Sequence, residues 1–177
     1  RFVVSAEIDE WRAYEDGQIA ELNRCITELD MRALYFDGTE SFFIVDYKTN
    51  YDQKEFTPFW EEVERLDIPV LWHLRCRNEL SPADFAEELR IFRRFVEKWS
   101  GIKIVITHCF EMSHFENEKL SELALEICRL PNIFLELLFP IMNGGRWEYP
   151  YPESREIIKT LYYEVGADKL MWGSDMP

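Results

Sequence analysis

Strand-like and helix-like patterns alternate along this chain almost without interruption, and its strand segments are near-continuous apolar runs. No glycine-rich phosphate loop follows any of them. These observations predict an α/β fold with a parallel sheet of the (β/α)8 TIM-barrel type. Six parallel strands with intervening helices are expected, an incomplete barrel forming a single domain over residues 1–177. The competing architecture is an open doubly wound sheet, which the missing phosphate loop weakens.

The strand RFVVSAEI (Arg1–Ile8) is apolar and β-branched, and Ile19, Leu22, Ile26 and Leu29 then recur at helical spacing. MRALYF (Met31–Phe36) reads as a second strand. Phe56, Phe59, Val63 and Leu66 mark a second helix, and IPVLWHL (Ile68–Leu74) a third strand, with Pro69 near its start where it harms a ladder least. Ser81-Pro82-Ala83-Asp84 opens the next helix: a cap, a proline at the first helical position and an acid at the positive end of the dipole. Its apolar stripe is Phe85, Leu89, Phe92, Val96 and Trp99, and Gly101 stops it. IKIVITHC (Ile102–Cys109) is a fourth strand, Leu120, Leu123 and Ile127 mark a helix, and NIFLELLF (Asn132–Phe139) is a fifth strand. Ile157, Leu161 and Val165 form a last helix ending at Gly166, and KLMWGSD (Lys169–Asp175) is a sixth strand.

Composition excludes several classes of function. The chain carries 34 acidic against 20 basic side chains, a net charge of −14, which argues against a phosphate-backbone partner. No apolar stretch approaches the roughly 18 residues of a membrane span. Neither nucleic acid nor membrane is therefore expected as a partner; a small-molecule substrate and, at most, a second copy of the chain in a homodimer are. Cys25, Cys76, Cys109 and Cys128 lie far apart without a CxxC pair, which predicts a reduced, cytoplasmic protein. The first residue is Arg1, already within a strand pattern, so further chain is expected ahead of it.

Polar residues at strand ends point to chemistry. His73, His108 and Asp175 each fall at or near the C-terminal end of a different strand, and parallel strands turn those ends to one rim, where such folds place their sites. Imidazole and carboxylate together suit Zn²⁺, Mn²⁺ or Fe²⁺. A bound metal would lower the pKa of its water to about 7. Each residue also has a plainer role, a satisfied structural histidine or a helix-capping aspartate, but three at equivalent positions favour function. His114, in the polar stretch EMSHFENEKL, reads as a rim residue. Glu136 interrupts IFLELLF and must either face the mouth or meet a cation. Arg75, two residues past His73, points to the same side and would clamp a substrate carboxylate or pair with an acid. Asn143-Gly144-Gly145-Arg146, followed by Trp147, Tyr149 and Tyr151, is either a substrate-covering loop or an aromatic-packed connection.

The spacing of PVLWH, IVITH, NIFLELLF and KLMWGSDMP resembles the amidohydrolase-related (type 2) metal-dependent hydrolases and decarboxylases, which are (β/α)8 barrels. RFVVSAEID and AELNRCITELDMRALYF resemble that family's third strand, third helix and fourth strand, so the likeness runs from the third strand to the eighth. GSDMP is its most specific element. The resemblance implies that His73 is the strand-five metal ligand and His108 the strand-six histidine that contacts the metal or orients the catalytic water. Asp175 is implied as the strand-eight carboxylate, ligand or general base. Arg75, Glu136 and Arg146 are the expected substrate-binding residues. Three departures stand out: Glu136 replaces a small polar residue, Cys109 and Phe110 stand where a glycine commonly follows the histidine, and the His-x-His pair of strand one is missing.

A barrel of this type runs to about 250 residues or more. The sequence therefore reads as a segment lacking on the order of 80 residues, with little activity expected of it alone. The expected reaction is hydrolysis of a small organic acid, lactone or amide by a metal-activated water, with zinc the first choice of metal and manganese or iron the others. The alternative is metal-dependent non-oxidative decarboxylation of an unsaturated or aromatic acid. A third reading is a non-catalytic α/β scaffold without a complete metal site.

Overall fold

The structure, a computed structural model, describes residues 3–38, 51–74, 82–109, 115–116, 119–137 and 152–173. Arg75, Cys76, Ser81, His114, Asp175 and the loop from Asn143 to Arg146 lie outside the described residues.

The elements follow in chain order as β1 (Ser5–Ala6), α1 (Asp16–Thr27), β2 (Ala33–Asp37), α2 (Thr57–Leu66), β3 (Val70–His73) and α3 (Pro82–Lys98). They continue as β4 (Ile104–Thr107), β5 (Phe115–Glu116), β6 (Lys119–Leu120), α4 (Glu122–Arg129), β7 (Ile133–Leu137), α5 (Pro152–Val165) and β8 (Leu170–Trp172). Six strands form one sheet in the order β1-β2-β3-β4-β7-β8, every neighbouring pair parallel. The strand order never reverses, and a doubly wound sheet needs a reversal at its switch point. This sheet is therefore of the barrel type.

Which side the helices take follows from the register. Leu34, Val70, Ile104 and Ile133 stand in one row across the sheet, and Phe36, Trp72, Ile106 and Leu135 in the next. All eight side chains are fully buried, in one core with the apolar stripes of the five helices described. The intervening row, Tyr35, Leu71, Val105 and Phe134, points to the other face and is only half-buried. Near-continuous apolar strands predict burial on both faces. It holds for one, because right-handed crossovers put every helix of such a sheet on the same side.

The covered face is dominated by aromatic rings. Phe36, Tyr51, Phe59, Trp60, Trp72, Phe92 and Phe95 pack edge-to-face, tilted or stacked, with centroids such as Trp60–Phe95 at 4.7 Å and Phe36–Trp72 at 4.9 Å. Aromatic pairs of this kind add about 0.5–1.5 kcal/mol each beyond their burial. Gly38 follows β2 because a Cβ there would overlap the Trp72 indole.

Polar staples join the elements at their ends. The buried Asn132 side chain donates to the carbonyls of Val96 (3.2 Å), Trp99 (3.5 Å) and Ile102 (3.1 Å), tying the end of α3 to the start of β7. The Lys169 ammonium donates to the carbonyls of Cys128 (3.3 Å), Arg129 (3.2 Å) and Leu130, placing a cation where α4 leaves orphan carbonyls and its dipole is negative. α5 ends as expected at Gly166, whose φ of 86° suits glycine.

Two expectations change between β4 and α4. Leu120 lies in β6, paired antiparallel with β5, rather than in the helix. Ser121 begins α4 instead: its hydroxyl accepts the Ala124 N–H at 3.3 Å, so the cap and not the apolar spacing sets the helix start. The first strand also shrinks to two residues, leaving Val3 and Val4 exposed on the sheet edge. Among the described residues no helix is long and apolar enough to cross a membrane.

Candidate functional site

The half-buried face of the sheet ends in polar residues. Asp37, His73 and Thr107 are register partners at the C-terminal ends of β2, β3 and β4, so their side chains emerge on one side of the sheet at one level. The apolar rows beneath hold them there. Thr107 turns inward, its hydroxyl donating to the Trp72 carbonyl at 3.2 Å.

His73 is buried and gripped from β2. The Tyr35 hydroxyl lies 2.7 Å from its Nδ1, and an Asp37 carboxylate oxygen lies 3.7 Å from the same nitrogen. The His108 ring stacks on the opposite side, centroids 4.8 Å apart and planes 24° from parallel. His108 reaches this position through an uncommon backbone: it stands one residue past β4 with φ 62°, and Cys109 follows with φ 56°. Left-handed conformations cost side-chain-bearing residues on the order of 1–3 kcal/mol each and gather where surroundings over-determine them. A glycine after this histidine, which the family commonly carries, would relax one of the two. Here buried Cys109 holds the conformation instead.

Glu136 braces that turn. One of its carboxylate oxygens accepts the His108 backbone N–H at 3.3 Å, and the other lies where a Cβ on Gly173 would fall. Gly173 in turn donates its N–H to the Leu137 carbonyl at 3.3 Å, so β8 closes over the Glu136 side chain only because residue 173 is glycine. At the other flank Glu10, in the turn after β1, accepts the Asp37 N–H at 3.3 Å. Burial pushes the Glu10 carboxyl above the usual carboxylate range, with the Asp37 and Glu7 charges adding to the rise and two backbone N–H bonds opposing it.

The structure thus brings His73 and His108 into contact at one rim and sets Glu136 directly beneath His108. Arg75, Arg146 and Asp175 lie outside the described residues. Sequence reasoning missed Tyr35, Asp37 and Glu10. Asp37 ends an apolar run in the same way as His73, a signal that would have found it had β2 been extended by one residue.

The donor chemistry suits a divalent cation. His108 Nδ1 is a buried nitrogen with no hydrogen-bond partner among the described residues, and two oxygens approach His73 through its Nδ1. Among the described residues no three His, Cys, Asp or Glu side chains converge closely enough to hold a metal. A catalytic site normally has three protein ligands. Two imidazoles alone fall short of that number.

A gamma-resorcylate decarboxylase of Rhodococcus jostii (strain RHA1) is 40% identical over 69 residues, covering 37% of this chain and 20% of that protein. A gamma-resorcylate decarboxylase of Polaromonas sp. (strain JS666 / ATCC BAA-500) is 23% identical over 195 residues, covering 92% of this chain and 57% of the relative. The crystal structure of a dihydroxybenzoic acid decarboxylase from Polaromonas sp. JS666, with bound manganese and 2-nitroresorcinol, superposes with a TM-score of 0.64 at 22% identity. It covers all of this chain and 59% of that one. The chain thus spans less than two thirds of the length of each of these proteins. The amidohydrolase family model matches residues 12–177, and with the unreversed parallel sheet and the histidines at its rim, the chain belongs to the amidohydrolase family.

Proposed function

We propose that the protein is a metal-dependent, non-oxidative decarboxylase of a hydroxylated aromatic acid. The observation that carries this reading is the stacked His73–His108 pair at the strand-end rim, in a chain whose curated relatives are gamma-resorcylate decarboxylases. Hydrolysis, which the sequence alone ranks first, becomes the second reading: it rests on the family's broader chemistry, with no separate observation in the site to favour it.

In this proposal His73, through Nε2, and Asp175 hold a divalent cation, with His108 beside them. Zinc and manganese are the candidates, the latter bound in the Polaromonas structure. Such a cation would act as a Lewis acid on substrate oxygens. Arg75 and Arg146 hold the acidic group, and the half-buried row of Tyr35, Leu71, Val105 and Phe134 offers apolar surface to an aromatic ring. Asp175 or His108 delivers a proton to the ring carbon that bears the carboxylate. The bond to the carboxylate then breaks, its electron pair returns to the ring, and carbon dioxide leaves. Glu136 fixes the His108 backbone, a positioning role ahead of the substrate contact expected of it.

A reducing, cytoplasmic setting and a homodimer belong to the same proposal. Support for the former comes from Cys25 and Cys128, both buried and outside any disulfide among the described residues, with burial pushing the Cys128 thiol up to about 12. The test uses the whole protein loaded with manganese or zinc. Carbon dioxide release from 2,6-dihydroxybenzoate and related acids is followed beside lactone and amide opening. Release that disappears in His73→Ala and Asp175→Asn supports the proposal. Lactone or amide opening without release would make the protein a hydrolase, and neither activity with no metal uptake would leave a scaffold.

A further inference from the structure

We propose that Tyr35 and Asp37 are positioning residues that hold the neutral His73 imidazole with its proton on Nδ1, turning the Nε2 lone pair to the site. The inference rests on the metal-ligand reading of His73 but reaches two residues to which nothing in the family resemblance gives a role.

The geometry comes from strand register. Asp37 is paired with His73 across β2 and β3, and Tyr35 lies two residues earlier on the same side of β2. Two oxygens spaced i, i+2 along one strand therefore reach the same nitrogen of a ring on the next. The hydroxyl is at 2.7 Å and the carboxylate at 3.7 Å. A phenol alone would leave the tautomer open, since it donates to a bare Nδ1 as readily as it accepts from a protonated one. The carboxylate breaks the tie. An ionised carboxylate has no proton to give, repels a lone pair and attracts an N–H, and the buried ring feels this field with little screening.

The acid is itself held. The Asp37 backbone N–H is bonded to Glu10, and the aromatic core anchors Phe36 and Trp72 between the two polar levels. On the far side the His108 ring limits rotation of the imidazole. This matches the way metal-ligating histidines are oriented by an acceptor on the nitrogen that does not bind metal.

The test reads the tautomer directly, by long-range proton–nitrogen correlation spectra of the ¹⁵N-labelled, metal-free chain at about pH 8, where imidazole is neutral. The His73 signals are identified by their loss in His73→Gln. Protonation at Nδ1 is expected in the parent, and a weaker preference in Asp37→Asn, whose amide can donate to a bare Nδ1 as well as accept from a protonated one. Tyr35→Phe combined with Asp37→Ala should move the proton wholly or partly to Nε2, with far-ultraviolet circular dichroism unchanged. A parent protonated at Nε2, or a folded double variant that keeps the parent tautomer, overturns the proposal. If the double variant does not fold, Tyr35→Phe and Asp37→Ala are read singly, and a tautomer unmoved in both is equally fatal.

Titration with Mn²⁺ or Zn²⁺ alone separates this inference from the reading beneath it. The double variant should bind about 10–100-fold more weakly than the parent. A tautomer that moves with no change in metal affinity would uphold the positioning and remove His73 from the ligands.

Discussion

The two faces of the parallel sheet are made by the same strands and do opposite work. On the helix-covered face Phe36, Trp72, Ile106 and Leu135 are sealed completely in an aromatic and aliphatic core. On the other face Tyr35, Leu71, Val105 and Phe134 stay half-buried and lead up to Asp37, His73 and Thr107 at the rim. Adjacent residues of one strand, such as Trp72 and His73, thus belong to different physical problems. The first is held by the hydrophobic effect and close packing, the second by hydrogen bonds and charge.

If this division is real, substitutions one residue apart should differ sharply. Trp72→Ala empties the centre of the aromatic cluster and is expected to cost about 3–5 kcal/mol. Leu71→Ala, on the half-buried face, should cost about 1 kcal/mol. Urea denaturation of both measures the contrast, and equal losses would erase it. Asn132→Ala should come next at about 2 kcal/mol, because three carbonyls each lose a side-chain donor at once, the Trp99 carbonyl keeping the Ile102 N–H; the change should leave the His73 and His108 imidazole spectra untouched.

On the site face the expected losses are smaller and fall on geometry. Gly173→Ala sets a methyl group against the Glu136 carboxylate and should cost about 1–2 kcal/mol by overpacking. The His108 amide resonance should move with it as the Glu136 bond breaks, and an unmoved resonance would show that the turn does not depend on that carboxylate.

The smallest effect concerns Glu10. Its folded pKa is raised, so its share of stability is full below the unfolded value of about 4.5 and lost as pH climbs through the folded one. Glu10→Gln should therefore melt slightly higher than the parent at pH 7 and no higher at pH 4. Thermal scans at the two values decide it, and a variant less stable at pH 7 would contradict the assigned burial.

Much of this was legible in the linear pattern. Among the described residues the six strands of the main sheet and the five helices were found, since apolar runs and 3.6-residue stripes register burial directly. His73 and His108 were picked out as polar residues closing apolar strands, and the structure brings them together. Misreadings fell where signals are short-range or competing. The antiparallel β5–β6 pair is built from Phe115–Glu116 and Lys119–Leu120, strands too brief to show a period. Leu120 fitted the helical spacing, but the Ser121 cap overruled it. Asp37 went unnoticed because an acid after an aromatic run also reads as a turn.

Strand and helix placement follow from hydrophobic periodicity and the crossover side from chain handedness, whereas the row of side chains that the helices cover follows from the register between strands. The contact of two imidazoles, the oxygens on His73 Nδ1 and the glycine that makes room for Glu136 depend on register between strands 28 to 38 residues apart. No local pattern encodes such register. It emerges when the aromatic core locks the strands against one another, and the site is assembled as a consequence of that packing.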